Sequence, residues 1–152
     1  MQIWVDADAC PGEIKQLLFR AAERTKTKVT LVANQSMSTP RSEYIDCILV
    51  ASGMNIADRR IVELVEPGDL VITADIPLAA DVVAAGGQAL NPRGELYTAD
   101  NVAERLAVRN MLDQMRGGGQ ITGGPASFSP KDRQAFANQL DRWLTAQGPN
   151  KP

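Results

Sequence analysis

The chain has 152 residues, a formal net charge of −2 and no histidine. Its 44% hydrophobic and 22% charged residues are typical of a globular domain with one core. The missing histidine excludes Ser-His-Asp and Cys-His catalysis and histidine-ligated zinc, so a metal site would require a hard ion, Mg²⁺ or Mn²⁺, on oxygen ligands. The small negative charge gives no global attraction to nucleic acid, and such binding would need a local basic patch.

The sequence also bears on the cellular compartment. Nothing at the start resembles a signal peptide, because Asp6 and Asp8 interrupt the only early apolar run. No apolar run approaches the roughly 20 residues that a membrane span requires. Cys10 and Cys47 are far apart and form no metal-type pair. We therefore expect a cytoplasmic protein with reduced thiols and no membrane partner; nothing in the sequence predicts an oligomeric state.

Short apolar runs alternate with amphipathic segments. The apolar runs predict five strands, over residues 3–5, 29–33, 45–50, 70–73 and 88–90. Helical spacing of apolar residues predicts helices after Pro11 at position N1, over 56–65, from Asp75 as N-cap to 85, and over 98–115. This alternation favours an α/β fold, a single domain with a mostly parallel central sheet flanked by helices.

The end of the chain predicts a separate helix. We divide the domain over 1–146 into a core over 1–116, a glycine-rich connector over 117–129 and a helix over 130–146, followed by a frayed tail over 147–152. Ser129 fits the N-cap of this helix, and one of its faces is apolar. The helix is too short to fold alone, so we expect it to dock on the core. Its basic residues Lys131, Arg133 and Arg142 are expected on a solvated face.

Four aspartates are candidates for a shared site. In parallel α/β sheets, sites form at the carboxyl ends of strands. Asp6 and Asp8 follow the first strand, where an extended chain would project both to the same side. Asp75 follows a later strand, and Asp58 lies in the first turn of a helix. Clustered carboxylates repel one another unless a cation or a shared proton relieves them, so the cluster would suit one or two divalent ions.

Structural roles explain some of these aspartates equally well. Asp8 could cap the helix opened by Pro11, and Asp75 is a good N-cap. The negative charge of Asp58 could interact favourably with the dipole of its own helix. The pair of Asp6 and Asp8 is not explained in this way, because one helix start needs only one cap. Asp69 fits a turn residue after Pro67-Gly68.

Other polar residues at this edge are candidates for binding phosphate or substrate. They are Lys15, Asn34, Asn55, Thr73 and Arg93. Lys15 or Arg93 would offset the charge of a phosphate, although the turn that contains Arg93 is equally well explained as a surface turn. Cys10 precedes a helix start, which would lower its pKa, but a phosphatase-type loop would need arginine where the chain has Gln16. A small buried residue is the favoured interpretation of Cys10.

Several segments carry a family resemblance. They are residues 6–11, 32–36, 68–79, 91–94, 123–125 and 132–137. In order and content they resemble the YaiI/YqxD family of bacterial proteins, from Met1 to about Trp143. The resemblance implies a PIN-like domain, a group whose better-known members are Mg²⁺- or Mn²⁺-dependent ribonucleases with clustered aspartates. It also implies that Asp6 is the central metal ligand, with Asp8, Asp58 and Asp75 around it.

The chain departs from the family pattern at the predicted site. Asn55 stands where members usually carry aspartate, and Arg59 where many carry a second acid. Asparagine still offers a neutral oxygen, but the site loses negative charge and metal affinity. This weakens the case for a two-metal mechanism more than for a one-metal mechanism.

Three functions remain open from the sequence. The first is a metal-dependent phosphodiester hydrolase acting on RNA or another phosphate-containing substrate. The second is a haloacid-dehalogenase-type phosphatase with Asp6 as nucleophile, Asp8 as general acid and Thr73 as its second element. No lysine and paired acidic motif follow in the order that this enzyme class requires. The third is a non-catalytic nucleic-acid or protein-binding module.

Overall fold

The computed structural model describes residues 1–53, 55–117 and 128–146. Within these ranges the chain forms six strands: Ile3–Asp6 (β1), Val29–Ala33 (β2), Ile45–Leu49 (β3), Leu70–Ile72 (β4), Gln88–Leu90 (β5) and Leu96–Tyr97 (β6). The same ranges contain five α-helices: Gly12–Thr25 (α1), Ile56–Leu64 (α2), Ile76–Ala84 (α3), Ala99–Gly117 (α4) and Pro130–Ala146 (α5). A single 3₁₀ turn, Ala7–Ala9, joins β1 to α1. No helix in the described ranges is long and apolar enough to cross a membrane.

The strands form one sheet in the order β3-β2-β1-β4-β5-β6. The first five strands are parallel, and β6 alone runs antiparallel, against β5. This confirms the predicted α/β class with a mostly parallel sheet. The sequence did not predict β6, because two residues are too few for a recognisable alternation. β1 lies between β2 and β4, so the carboxyl ends of three strands that carry candidate residues are neighbours.

Helices cover both faces of the sheet, because successive buried residues of β1 pack into different hydrophobic clusters. Ile3 and Val5 face a cluster that includes residues of α1 and α5. Trp4 faces a second cluster that includes residues of α2, α3 and α4. The core therefore has two layers, one on each side of the sheet, as the near-continuous apolar strands of a parallel sheet require.

The C-terminal helix docks as the sequence predicts. Its apolar residues are all buried: Phe136, Leu140, Trp143 and Leu144. Ser129 and Asp132 form a reciprocal cap, in which the Ser129 N–H donates to Asp132 Oδ2 at 3.0 Å and the Asp132 N–H donates to Ser129 Oγ at 3.3 Å. Arg93 also donates to Asp132 Oδ2, at 2.9 Å, so the turn after β5 holds the start of α5.

The predicted boundaries near this helix need one correction. Gly117 belongs to α4 and not to the connector, since the helical spacing continues to that residue. The rest of the predicted connector, over 118–127, lies outside the described residues. The predicted tail, over 147–152, also lies outside them.

Asp69 has a larger structural role than a turn residue. Its side chain is buried and accepts hydrogen bonds from the N–H of Gln2, the N–H of Glu66 and the indole of Trp4, each at 3.0 Å. The carboxylate therefore joins the beginnings of β1 and β4 at the amino edge of the sheet. It lies at the opposite end of these strands from Asp6 and Thr73, so it belongs to the scaffold.

Candidate active site

The candidate site lies at the carboxyl edge of the sheet, around the end of β1. Asp6 is the last residue of that central strand, and Thr73 follows the neighbouring strand β4. On the other side, Asn34 follows β2. The parallel strand order therefore brings the three positions to one edge, as the sequence predicts.

Asp6 is half-buried and is held by Thr73. The Thr73 hydroxyl donates to Asp6 Oδ2 at 3.0 Å, and the same hydroxyl accepts the N–H of Asp75 at 3.0 Å. Burial raises the pKa of the Asp6 carboxyl, the Thr73 hydrogen bond opposes that rise, and the charges of Asp75 and Asp8 add to it. Thr73 is thus a link between two candidate ligands. Because its side chain is buried, its geometry favours positioning over direct contact with substrate.

Asp8 reaches the site by a different route from the one predicted. The strand ends at Asp6 and the chain enters the 3₁₀ turn, in which Ala7 is fully buried and Asp8 is exposed. The expectation of an extended chain through Asp8 is therefore wrong, because the backbone enters the 3₁₀ turn directly after Asp6. Asp8 Oδ2 accepts the Asn34 N–H at 2.9 Å, and the charge of Asp8 still contributes to the raised pKa of Asp6.

Asp8 does not cap α1. The helix begins at Gly12, one residue later than predicted, and Pro11 occupies the N-cap position without a side-chain cap. The capping explanation of Asp8 is therefore excluded. Its hydrogen bond to the backbone after β2 orients the carboxylate at the carboxyl edge.

Asp58 lies beside Asp75, and the two carboxyl groups interact directly. Asp75 caps α3, with its Oδ1 accepting the Leu78 N–H at 3.0 Å, as predicted. Asp58 lies in the first turn of α2, also as predicted. Burial, the charges of Asp75 and Asp6 and a hydrogen bond to Asp75 raise the pKa of Asp58 to about 6. A hydrogen bond between two carboxyl groups requires a proton, which Asp58 carries below its raised pKa of about 6.

The donor chemistry of this cluster fits a hard divalent cation. Its four side chains, Asp6, Asp8, Asp58 and Asp75, supply carboxylate oxygens, which Mg²⁺ and Mn²⁺ prefer. Burial is the largest cause of the raised pKa values of Asp6 and Asp58, and the charges of neighbouring aspartates add to it. Among the described residues, no three acidic or cysteine side chains are already arranged as a ligand set. Ion binding would therefore need Asp58 to lose its proton and the carboxylates to draw together.

The predicted substrate-binding residues differ in their surroundings. Lys15 is half-buried, and its Nζ lies 3.5 Å from Met37 Sδ, a weak acceptor for an ammonium group. Asn34 contributes its backbone N–H to Asp8. Asn55 is exposed and adopts a left-handed conformation with φ of 64°, and its side chain makes no capping hydrogen bond to α2.

Arg93 has a structural partner. Its guanidinium is bound to Asp132 of α5, and its N–H donates to Asn91 Oδ1 at 2.9 Å within the turn after β5. In the structure, Arg93 therefore stabilises the start of α5 through its ion pair with Asp132. Its contact with a phosphate remains a prediction, which would require the guanidinium to share or leave Asp132.

Cys10 is the buried residue that the sequence favours. Its side chain is 7% exposed, and burial raises the pKa of the thiol to about 12. The expectation that the following helix lowers this pKa is therefore wrong, because burial outweighs both the helix dipole and the charge of Lys15. A thiol with this pKa is not a nucleophile at neutral pH.

Sequence reasoning missed the link made by Thr73. The sequence contained a signal for one of its two bonds. In Thr73-Ala74-Asp75 the Thr73 hydroxyl accepts the N–H of the residue two positions later, which is the pattern of an ST-turn. The bond from Thr73 to Asp6 had no such signal, since it depends on β1 and β4 being neighbours.

Comparison with known proteins places the chain in a family. A family model described as "Uncharacterized BCR, YaiI/YqxD family" matches residues 4–146. A UPF0178 protein of Alkalilimnicola ehrlichii is 62% identical over 146 residues, which cover 96% of this chain and 99% of the relative. UPF0178 proteins of Pectobacterium carotovorum and Hahella chejuensis are 62% and 60% identical over 144 residues, with 95% of this chain and 96% of each relative covered. No solved structure matches the chain. The chain therefore belongs to the YaiI/YqxD family.

Proposed function

We propose that this protein is a divalent-metal-dependent phosphodiester hydrolase, a PIN-like nuclease that acts on RNA. The observation that carries the proposal is the convergence of Asp6, Asp8, Asp58 and Asp75 from four different elements. Burial, together with the charges of neighbouring aspartates, raises the pKa of Asp6 and of Asp58. Capping explains Asp75 and the dipole of α2 explains Asp58, but neither explains why Asp6 lies beside Asp75 and Asp8.

The hydrogen bonds of the cluster support cation binding. Asp6 Oδ2, Asp8 Oδ2 and Asp75 Oδ1 each accept one hydrogen bond from the protein. These bonds orient each carboxylate, and the other oxygens of Asp6 and Asp8 would serve as ligands. Metal-binding carboxylates in proteins are commonly oriented by such outer hydrogen bonds.

Each residue has a distinct role in the proposed reaction. Asp6, Asp8 and Asp75 would hold Mg²⁺ or Mn²⁺, and Asp58 would serve as a further ligand or orient the attacking water. The ion, when bound, supplies charge neutralisation at the phosphate and lowers the pKa of a bound water. If Asp58 is not itself a ligand, its carboxylate would accept a proton from that water. Lys15 would offset part of the phosphate charge, and Asn55 in place of an acid favours a single ion.

Cleavage of a labelled single-stranded RNA tests the proposal. We expect wild-type protein to cleave in Mn²⁺ or Mg²⁺ and to stop in EDTA. Asp6→Asn should lower the rate at least about 100-fold, since it removes the central ligand. Asp81→Asn is the matched control, because Asp81 is an exposed acid of α3 that also contributes to the raised pKa of Asp58. Cleavage that Asp6→Asn leaves unchanged would show that the assignment is wrong.

The same preparations separate the alternative functions. A phosphatase with Asp6 as nucleophile would hydrolyse phosphomonoesters, and a fluoride complex would trap the protein at Asp6. A non-catalytic module would bind RNA with ordinary salt dependence and show no turnover in any metal. Either result would replace the proposed nuclease.

A further inference from the structure

A polar groove lies between the first halves of α1 and α5. It has a volume of about 410 Å³, and its lining includes Glu13, Gln16 and Arg20 from α1 and Arg133, Gln134 and Ala137 from α5. The α1 residues recur at helical spacing, so they form one stripe along that helix. With the exception of Ala137, these six side chains are exposed, so the groove is open to a ligand.

Two arginines face one another across this groove without an acidic partner. Arg20 and Arg133 are both exposed, and neither forms a salt bridge with any residue in the described ranges. Arg24, one turn further along α1, is instead paired with Asp141 of α5 at 3.2 Å. Unpaired guanidinium groups on facing helices are suited to an anion, because each can donate two hydrogen bonds to one phosphate.

The groove begins at the same edge of the sheet as the aspartate cluster. The start of α1 follows β1 and the 3₁₀ turn directly, so Glu13 lies near the carboxyl end of β1. The start of α5 is held at that edge through Arg93, which follows β5 and binds Asp132. Residues 13–20 of α1 line the groove with residues 133–137 of α5, and Arg24 further along α1 pairs with Asp141 further along α5, so the two helices run in the same direction. A chain leaving the carboxyl edge could therefore enter the groove without crossing the sheet.

We propose that this groove binds the phosphate backbone of the single-stranded RNA on which the aspartate cluster acts. This binding site rests on the proposed function. It would hold the part of the RNA strand that extends beyond the aspartate cluster. Of the described residues that line the groove, only Glu13 is acidic, and it would repel phosphates toward Arg20, which lies about 10 Å further along α1. The volume is that of a small-ligand site, so it accommodates one or two nucleotides of a single strand. Gln16 and Gln134 offer neutral hydrogen-bonding groups to sugar or base.

The test compares the double variant Arg20→Gln/Arg133→Gln with the control Arg142→Gln. Arg142 is an exposed arginine of α5 nine residues after Arg133, which places it on the opposite side of the helix. Binding of a fluorescein-labelled oligouridine is measured by anisotropy in EDTA, where metal-dependent cleavage stops, at several salt concentrations. Circular dichroism checks that each variant is folded.

We expect the double variant to bind about tenfold more weakly than wild type. The slope of log affinity against log salt should fall by about 1.4, since each lost phosphate contact on a single strand removes about 0.7. The control should keep the wild-type affinity and slope. Three results would overturn the inference. They are equal salt slopes for wild type and the double variant, an equal loss of oligouridine affinity in the control, and no oligouridine binding by wild type.

Two further readouts separate this inference from the proposed function. Hydrolysis of bis(p-nitrophenyl) phosphate, which is too small to reach the groove from the cluster, and Mn²⁺ binding should both survive in the double variant. If oligouridine binding depended on the two arginines but wild type cleaved no RNA, RNA binding by the groove would be supported and nuclease activity would be refuted. Cleavage that depends on Asp6 with an unchanged salt slope would sustain the nuclease and refute the groove.

Discussion

At the scale of single residues, the buried hydroxyl of Thr73 organises the candidate site. It donates to Asp6 and accepts from the backbone of Asp75, so one side chain fixes the positions of two proposed ligands. Neither bond requires a metal, so both would preorganise the cluster for the proposed ion. The free energy that maintains the site comes partly from this residue, which need not touch substrate.

Replacement of Thr73 by valine tests that role. Valine keeps the shape but loses both hydrogen bonds, so we expect the free energy of unfolding to fall by about 1–3 kcal/mol. The Mn²⁺ affinity should fall about 10- to 100-fold because the Asp6 carboxylate is no longer oriented. Thr30→Val is the control, since Thr30 is buried in β2 and the structure gives its side chain no hydrogen bond. Urea unfolding and calorimetry measure both effects, and unchanged Mn²⁺ affinity in Thr73→Val would contradict the positioning role.

The raised pKa of Asp58 predicts a pH dependence of stability in the metal-free protein. The folded pKa of about 6 lies above the ordinary value of 3.8, so the folded state binds more protons between these values. The unfolding free energy contributed by this group is therefore fully present below about pH 4 and is lost as the pH rises through 6. The loss is on the order of 1 kcal/mol after allowance for solvent screening.

Asp58→Asn should remove this dependence. An amide can keep a hydrogen bond to Asp75 and carries no charge, so the variant should be more stable than wild type at pH 7.5 and similar to it at pH 4. Urea unfolding in EDTA at these pH values measures the difference. A variant less stable than wild type at pH 7.5 would contradict the charge-crowding explanation.

At the scale of elements, the docking of α5 depends on the turn after β5. Gly94 has φ of +93°, a conformation that side chains rarely adopt, and it lies against the backbone of α5. A Cβ at this position would lie 2.6 Å from the backbone carbon of Ala135. Since α5 also forms one wall of the proposed RNA groove, this turn connects the packing of the fold to its binding surface.

We expect Gly94→Ala to lower the free energy of unfolding by about 2–4 kcal/mol, because it combines backbone strain with overpacking. Gly12→Ala is the matched control, since a Cβ at Gly12 meets nothing within 4 Å and lies in the first turn of α1. Urea unfolding distinguishes the two variants. Equal stability of Gly94→Ala and wild type would show that α5 does not pack closely on this turn.

Most elements could be predicted from the sequence, and the exceptions have physical reasons. The helices and the first five strands follow from apolar periodicity, which reports burial directly. The 3₁₀ turn at Ala7–Ala9 and the two-residue strand β6 are too short to show a period. The turn matters for the candidate site, because it replaces the expected extended path of Asp8 by a hydrogen bond from the Asn34 N–H.

At the scale of the whole molecule, the strand order creates the site. Asp6 and Thr73 are 67 residues apart in sequence, and their contact exists only because β1 pairs with β4. The identity of the four aspartates could be predicted, since each follows a strand or begins a helix. The hydrogen bonds that orient them could not, because pairing between distant strands leaves no local pattern. The same limit applies to Asp69, whose three donors come from two separate segments.

Calorimetric titration of Mn²⁺ into wild type and Asp6→Asn would show whether the aspartate cluster binds a divalent ion. We predict saturable binding to wild type at pH 7.5, where Asp58 is deprotonated, and a loss of at least about tenfold in affinity in the variant. If wild type bound no Mn²⁺, or if both proteins bound it equally, the aspartate cluster would not be a metal site.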